Sequence, residues 1–277
     1  MKKFPNLIVI GAMKSGTTSL HNYLSLHPDI FMSQKKEIDY YTDAIFKKET
    51  QDWYLNQFDS DYKVRGESSQ NYSKCHNKYY QNIPKRIKND IPNVKFIYLL
   101  RDPIERYKSQ ISENYYGETK KEIEYNIKSE NYLKTSMYYM QLTEYLKYFS
   151  IDQFLIITTE ELNNNRLYTM NKIFNFLGVD EIKEENTFNF ISNDNKGKKV
   201  FPLSFKQTLI YKLIKKGLPK KVFQKIEYSS FLRNYIFIGW KKREIDKNEI
   251  IRIKSILVND IDKLRKTTNL EFKDWKI

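Results

Sequence analysis

Cysteine is nearly absent from this 277-residue chain: Cys75 is the only one. No intramolecular disulfide can form, which fits a reducing compartment and removes cross-linking as a source of stability. Glycine and proline are also scarce, at 8 and 7 residues, which argues against a string of domains joined by flexible linkers. Histidine occurs three times, as His21, His27 and His76, so few imidazoles are available for proton transfer. No unbroken apolar run is long enough to span a bilayer, and Met1 to Phe4 lead straight into a short apolar segment. Neither a signal peptide nor a membrane anchor is expected, and a soluble cytoplasmic protein is the default.

Against these shortages stand 40% hydrophobic and 15% aromatic residues, enough for one large core or a core with a subdomain. Forty-eight Lys and Arg face 34 Asp and Glu, a net charge of +14. Such an excess raises the local concentration of anionic ligands, whether nucleotide, nucleic acid, acidic glycan or lipid headgroup. A Lys-rich solvated surface accounts for most of these charges, and net charge alone selects no partner. There is no internal repeat and no low-complexity segment, so one domain is the simplest organisation.

Leu7 to Ile10 is a short aliphatic run, as in a strand buried on both faces. Gly11 to Thr18 is small and polar, and Ser19 to Leu26 has helical spacing up to His27 and Pro28. A second unit places a strand at Lys95 to Leu100, then Asp102 as helix cap with Pro103 at the first helical position. A helical stretch over Ser136 to Phe149 precedes a third apolar run, Phe154 to Thr158. Glu118 to Asn131 is charged, a surface helix or loop, and Glu249 to Leu264 is helical in its spacing. Strands alternating with helices predict an α/β fold with a parallel sheet.

Gly11-Ala-Met-Lys14-Ser15-Gly16-Thr17-Thr18 falls at the first strand-to-helix turn. Backbone N–H groups converge there and the helix N-terminus adds partial positive charge, which together make an anion site. The glycines are five apart, as in a Walker loop, but the position after the second glycine holds Thr17 and the lysine sits at Lys14. A polyphosphate needs strong neutralisation, usually with a metal, whereas a single 5′-phosphosulfate carries less charge. One lysine can then stabilise the bridging oxygen as its bond breaks. A strand followed by this Lys-Ser-Gly-Thr-Thr loop closely resembles the 5′-phosphosulfate loop of sulfotransferases that use 3′-phosphoadenosine-5′-phosphosulfate (PAPS).

The resemblance implies a P-loop-like three-layer fold, a central parallel sheet flanked by helices, with residues 1–277 forming one sulfotransferase domain. It further implies a 3′-phosphate site, and Phe96 to Ser109 is similar to that element. Arg101 would stand at the carboxyl end of the strand, where open α/β sheets place ligands. Ser109 would follow two helical turns beyond Asp102. By resemblance, Arg101 and Ser109 hold the 3′-phosphate, while Arg106 is expected to form a salt bridge. Tyr138 to Leu142, Glu160 to Leu162 and the terminal Leu264 to Trp275 resemble later parts of the family. Asn195-Lys196-Gly197-Lys198 resembles the basic loop that closes over the nucleotide.

Gln34-Lys35-Lys36-Glu37-Ile38-Asp39-Tyr40-Tyr41 resembles the element of the heparan-sulfate-type enzymes whose glutamate deprotonates the acceptor. That makes Glu37 the implied general base, with Lys36 assisting charge development on the sulfuryl or leaving phosphate. Asp39 stands where many relatives carry histidine. His21 and His27 look structural from their positions, and His76 is a weaker alternative base. Gly66-Glu67-Ser68-Ser69-Gln70-Asn71-Tyr72 takes the place of a family stretch near acceptor and nucleotide, without its usual proline. The implied reaction is metal-independent, in-line transfer from PAPS to a hydroxyl or amine of a carbohydrate or small-molecule acceptor. 3′-Phosphoadenosine-5′-phosphate (PAP) is the nucleotide product.

Two other classes stay open on sequence grounds. A P-loop nucleotide kinase or NTPase accounts for Gly11 to Thr18 but not for the place of Lys14, and no aliphatic run ends in a clear Mg²⁺-binding aspartate. A basic nucleic-acid-binding protein would suit the net charge, yet no known binding module is visible. The basic amphipathic region Lys206 to Lys242 allows peripheral membrane contact, although core-packed helices are the preferred account of it. Oligomeric state is not encoded in any visible pattern.

Overall fold

A computed structural model describes residues 3–59, 61–117, 120–192 and 244–277, together with 199–200, 208, 217, 219 and 238–239. The described elements run β1 (Leu7–Gly11), α1 (Thr17–Leu24), β2 (Ile30–Met32), α2 (Asp43–Phe46), α3 (Gln51–Leu55) and β3 (Val64–Ser68). There follow α4 (Ile83–Asp90), β4 (Lys95–Leu100), α5 (Pro103–Gly117), α6 (Lys120–Lys128), α7 (Asn131–Lys134) and α8 (Tyr138–Leu146). The chain continues with β5 (Phe154–Thr158), α9 (Thr159–Asn164), α10 (Arg166–Leu177), β6 (Lys199–Val200), β7 (Ile238–Gly239) and α11 (Lys247–Thr268).

Two compact units result. The larger gathers Met1–Tyr107, Leu133–Asn193 and Asp246–Ile277; the smaller comprises Lys108–Tyr132 and Asp194–Ile245. In the smaller unit Asn114 donates to the Tyr132 hydroxyl at 3.0 Å, and β6 pairs antiparallel with β7.

The larger unit is built on a five-stranded sheet in the order β2-β3-β1-β4-β5, with every pairing parallel. Strand β1 is buried along its whole length and β4 from Phe96 onward, as strands covered on both faces must be. Successive side chains alternate between those faces. Ile8, Ile10, Phe96, Tyr98 and Leu100 pack with α4, α8 and α11 through Ile87, Leu142, Tyr145 and Ile261. Leu7, Val9, Ile97 and Leu99 pack on the other face with α1, α9 and α10 through Leu20, Leu162, Met170 and Phe174. Full burial of each such side chain contributes about 1.5–3 kcal/mol, which fixes helices on both faces of the sheet. Among the described residues no helix is long and apolar enough to cross a membrane.

Local boundaries follow from caps. Asp102 Oδ1 accepts from the N–H groups of Ile104 and Glu105 at 2.9 and 3.0 Å, starting α5 at Pro103. Asp260 of α11 accepts from Tyr139 and Met140 N–H at 3.0 and 2.9 Å, closing the otherwise open first turn of α8. Helix α1 begins at Thr17, two residues before its apolar periodicity does, and stops at Leu24 rather than at Pro28. Thr17 and Thr18 therefore belong to its first turn. The region Lys206 to Lys242 lies almost entirely outside the described residues.

Gly11 marks the point where β1 leaves its register with β4 and becomes the loop. Its φ is +151°, and a Cβ there would lie 2.1 Å from Ser73 Oγ. Gly11→Ala is expected to destabilise the protein by about 3 kcal/mol or more, since overpacking and a strained φ act together. Urea denaturation checks this, and a variant as stable as wild type would contradict it.

Candidate active site

The carboxyl ends of all five parallel strands point to one edge of the sheet, where ligands of such sheets bind. That edge delivers the loop with Lys14 from β1, the Glu37 segment from β2, Ser69 from β3, Arg101 from β4 and Thr159 from β5. Strands lie about 4.8 Å apart, so the Arg101 end is one spacing from the Lys14 loop. Glu37 starts on the far side of β3, but its N–H donates to Ser68 O at 2.9 Å. This draws the Glu37 backbone to the β3 end, beside β1.

In the loop the carbonyls of Met13, Lys14 and Ser15 are each held by a side chain from elsewhere. Arg106 donates to Met13 O at 3.5 Å, Arg101 to Lys14 O at 3.3 Å, and Thr159 to Ser15 O at 2.6 Å. The Ser15 N–H is taken by Ala12 O at 3.1 Å, so the N–H groups that can serve an anion are those from Gly16 onward, at the start of α1. The first N–H groups of α1 have no partner within that helix, and the helix dipole adds to the same field. Lys14 has φ of +69° and Gly16 +90°. A non-glycine residue held in the left-handed region persists where its surroundings over-determine it. The Ser15 hydroxyl is buried and has no hydrogen-bond partner among the described residues, so a donor is available to a ligand oxygen.

Arg106, expected to form a salt bridge, supports the loop from within the fold. It is fully buried and donates to Ser136 Oγ at 2.6 Å as well as to Met13 O. Burial first, and then the nearby Arg101, lower its pKa to about 10, so it stays charged at neutral pH and adds positive potential under the loop. Sequence reasoning missed Arg106 and Thr159 as loop supports. Both contacts span large sequence separations and carry no local signal. Ser109 is half-buried on α5, in the part belonging to the smaller unit. Lys196, Gly197 and Lys198 lie outside the described residues.

In the segment after β2, Glu37 and Asp39 both have positive φ, +60° and +55°. Lys36 pairs with Glu37 Oε1 at 3.0 Å, both side chains partly exposed. Asp39 accepts from Asn71 at 2.8 Å, and Lys74 donates to Asn71 Oδ1 at 2.8 Å. Burial, more than any neighbour, raises the Asp39 pKa. Among the described residues no group of three or more His, Cys, Asp or Glu side chains could hold a metal ion.

The histidines are engaged elsewhere. His27 Nε2 meets Asp180 O at 2.9 Å, and Gln141 reaches His76 Nδ1 at 2.9 Å. His21 Nε2 meets Ser33 O at 3.2 Å and its Nδ1 meets Ser68 Oγ at 2.9 Å. A carbonyl only accepts, so Nε2 carries the proton and Nδ1 accepts from Ser68. Burial first, then the charge of Lys36, lower the His21 pKa to about 4.

Buried Glu67 has its pKa raised to about 7, chiefly by desolvation. These two groups drive stability in opposite directions over nearly the same pH range. His21, with its folded pKa depressed, contributes stability that is present above about 6.5 and lost as pH falls toward 4. Glu67, with its folded pKa raised, makes the protein less stable as pH rises from 4.5 to about 7. Relative to wild type, His21→Gln is expected to gain stability as pH falls through the first window. Glu67→Gln is expected to gain it as pH rises through the second. The shifts correspond to roughly 3 kcal/mol each. Urea denaturation between pH 4 and 7.5 checks both, and differences from wild type that stay constant with pH would contradict the assignment.

Comparison with known proteins agrees with this geometry. Residues 4–267 match the sulfotransferase domain. A membrane-associated sulfotransferase of Dictyostelium discoideum is 40% identical over 118 residues, covering 38% of this chain and 22% of that protein. The heparan sulfate glucosamine 3-O-sulfotransferase 5 of Mus musculus is 26% identical over 195 residues, covering 65% and 55%. The chain spans only 22 to 23% of the length of the first relatives it matches. A sulfotransferase crystal structure from Alicyclobacillus acidocaldarius superposes with a TM-score of 0.64 at 19% identity, covering 99% of this chain and 100% of that one. The architecture is thus the P-loop-like α/β fold of that structure, and the chain belongs to the sulfotransferase domain family.

Proposed function

We propose that the protein transfers a sulfuryl group from PAPS to a hydroxyl or amine of a carbohydrate or small-molecule acceptor. The observation that carries this reading is the loop after β1. Its three successive carbonyls are held by Arg106, Arg101 and Thr159, and its lysine lies before the second glycine. That arrangement suits a single phosphate bearing a sulfuryl group better than a metal-bound triphosphate.

In the proposed reaction the acceptor oxygen or nitrogen attacks sulfur in line with the bridging oxygen of the 5′-phosphate. The new bond to sulfur forms as the sulfur–oxygen bond to the phosphate breaks, and PAP leaves with the bonding electrons. Lys14, Ser15 and the N–H groups of Gly16, Thr17 and Thr18 stabilise the charge gathering on that phosphate. Glu37 takes the acceptor proton. Lys36, paired with Glu37 at 3.0 Å, is freed as that carboxylate is neutralised and can meet the charge of the sulfuryl oxygens. Arg101 supplies a fork for the 3′-phosphate, with Ser109 assigned to the same phosphate by resemblance. Lys196, Gly197 and Lys198 are assigned to the nucleotide on the same ground.

Relatives named for heparan sulfate and glucosamine favour an amino-sugar acceptor, and the cluster of Asp39, Asn71 and Lys74 offers both charges to one. Sulfur-35 transfer from labelled PAPS tests the function on glucosamine-containing oligosaccharides, neutral glycans and small phenols. Label in any acceptor, abolished by excess PAP, is the expected result. No transfer to any of them together with Mg²⁺-dependent ATP hydrolysis would favour the kinase reading.

A further inference from the structure

Glu67 is fully buried at the end of β3 and has no part in the chemistry proposed above. Three hydroxyls nevertheless direct their protons at it. Tyr54 and Tyr72 donate to Oε1 at 2.6 and 3.1 Å, and Ser69 donates to Oε2 at 2.6 Å. Two of these hydroxyls have a second engagement. Ser69 Oγ accepts from the N–H of Asp39 at 3.1 Å, and the Tyr72 oxygen accepts from the N–H of Tyr41 at 3.2 Å. A hydroxyl has one proton, so an oxygen that receives a backbone N–H sends that proton to the carboxylate.

The backbone from residue 37 to 41 is therefore anchored at every second N–H: Glu37 on Ser68 O, Asp39 on Ser69, and Tyr41 on Tyr72. The same segment holds Glu37 and Asp39 at positive φ, a conformation that persists only where the surroundings impose it. Two of the three anchors lead to one carboxylate. Tyr40 stacks on Tyr54 with ring centroids 4.3 Å apart, so the third donor to Glu67 packs against the same segment.

We propose that Glu67 is a positioning residue which, by ordering Ser69 and Tyr72, fixes the backbone of residues 37–41 and so aims the Glu37 carboxylate. The inference rests on Glu37 being the general base. Glutamine at position 67 keeps the shape but sets N–H donors against hydroxyls that already donate. At least one hydroxyl proton then loses its acceptor, and that hydroxyl is free to turn from the segment it holds.

The test is Glu67→Gln in the full chain at pH 8, where the buried carboxyl of the wild type is ionised, read by residue-resolved amide hydrogen exchange and by PAP titration. Exchange at Asp39 and Tyr41 is expected to rise about tenfold or more, a loss of local protection, while β1 and β4 amides and PAP affinity stay as in wild type. Turnover of PAPS with water as acceptor, giving PAP and sulfate, is expected to lose about 10²-fold in kcat with KM unchanged. In a Glu37→Gln background the same change is expected to add no further loss.

Tyr54→Phe, which removes a donor without touching a loop N–H, leaves both amides protected. Should Glu67→Gln not fold, Ser69→Ala is expected to free the Asp39 amide alone and Tyr72→Phe the Tyr41 amide alone. Unchanged exchange at both amides overturns the proposal, as does a kcat loss that persists in full without Glu37. If Glu37→Gln itself leaves turnover intact, the base assignment fails, and the exchange data still decide whether Glu67 holds the segment.

Discussion

Lys14→Met is expected to slow sulfuryl transfer by about 10²–10³-fold, the usual effect of removing one preorganised donor to a developing oxyanion. Here the donor is charged, and the backbone that bears it is constrained. Lys14 lies at φ of +69°, and its carbonyl accepts from Arg101. The variant keeps an unbranched side chain of similar length, so the loop N–H groups remain to bind phosphate. PAP affinity is therefore expected to fall by only about tenfold, or 1.4 kcal/mol, which separates the transition-state effect from ground-state binding. Initial rates with PAPS and the acceptor identified by sulfur-35 transfer, set beside calorimetric PAP titration, measure the two effects. Equal losses in binding and turnover would mean that Lys14 only holds the nucleotide.

Glu37→Gln carries the other large expectation, a loss of about 10³-fold in turnover with PAP affinity unchanged, within the range found for general bases. The amide cannot take a proton, yet it can still hydrogen-bond Lys36. The backbone anchor of residue 37 on Ser68 O is untouched by the substitution. Competing bases are few. His21 has its pKa lowered to about 4 and is bonded at both nitrogens, and His27 bonds the distant Asp180 carbonyl. Rates measured for the same acceptor as above decide the matter, and undiminished turnover would remove Glu37 from the mechanism. Asp39 would then be the next carboxylate to test, two residues along the same segment and raised in pKa by burial.

Much of the frame was legible because its signals are local. The aliphatic runs at Leu7, Lys95 and Phe154 are strands at those positions, and Asp102 caps α5 through two hydrogen bonds. The turn from β1 to α1 was legible as a strand-to-helix loop from its small, polar, glycine-containing sequence. What escaped is long-range. Arg106, read from the sequence only as a salt-bridge former, is buried and donates to Ser136 and the loop. Thr159, which no local pattern singles out, holds Ser15 O, 144 residues away. Glu67 reads as one polar residue in a motif, and its role emerges only when Tyr54, Ser69 and Tyr72 are brought around it. The start of α1 was misplaced for a different reason. Its first turn is polar, with Thr17, Thr18 and Ser19 ahead of Leu20, so apolar periodicity begins only afterwards.

The donor site is the central claim, and a thermal-shift titration with PAP, ADP and Mg-ATP tests it most directly. A ligand at a hundredfold excess over its Kd stabilises the folded state by about 2.7 kcal/mol. Selective stabilisation by PAP over ADP and Mg-ATP is the predicted result, since only PAP presents both a 5′- and a 3′-phosphate to Lys14 and Arg101. No shift with PAP, or a larger shift with Mg-ATP, would contradict the account.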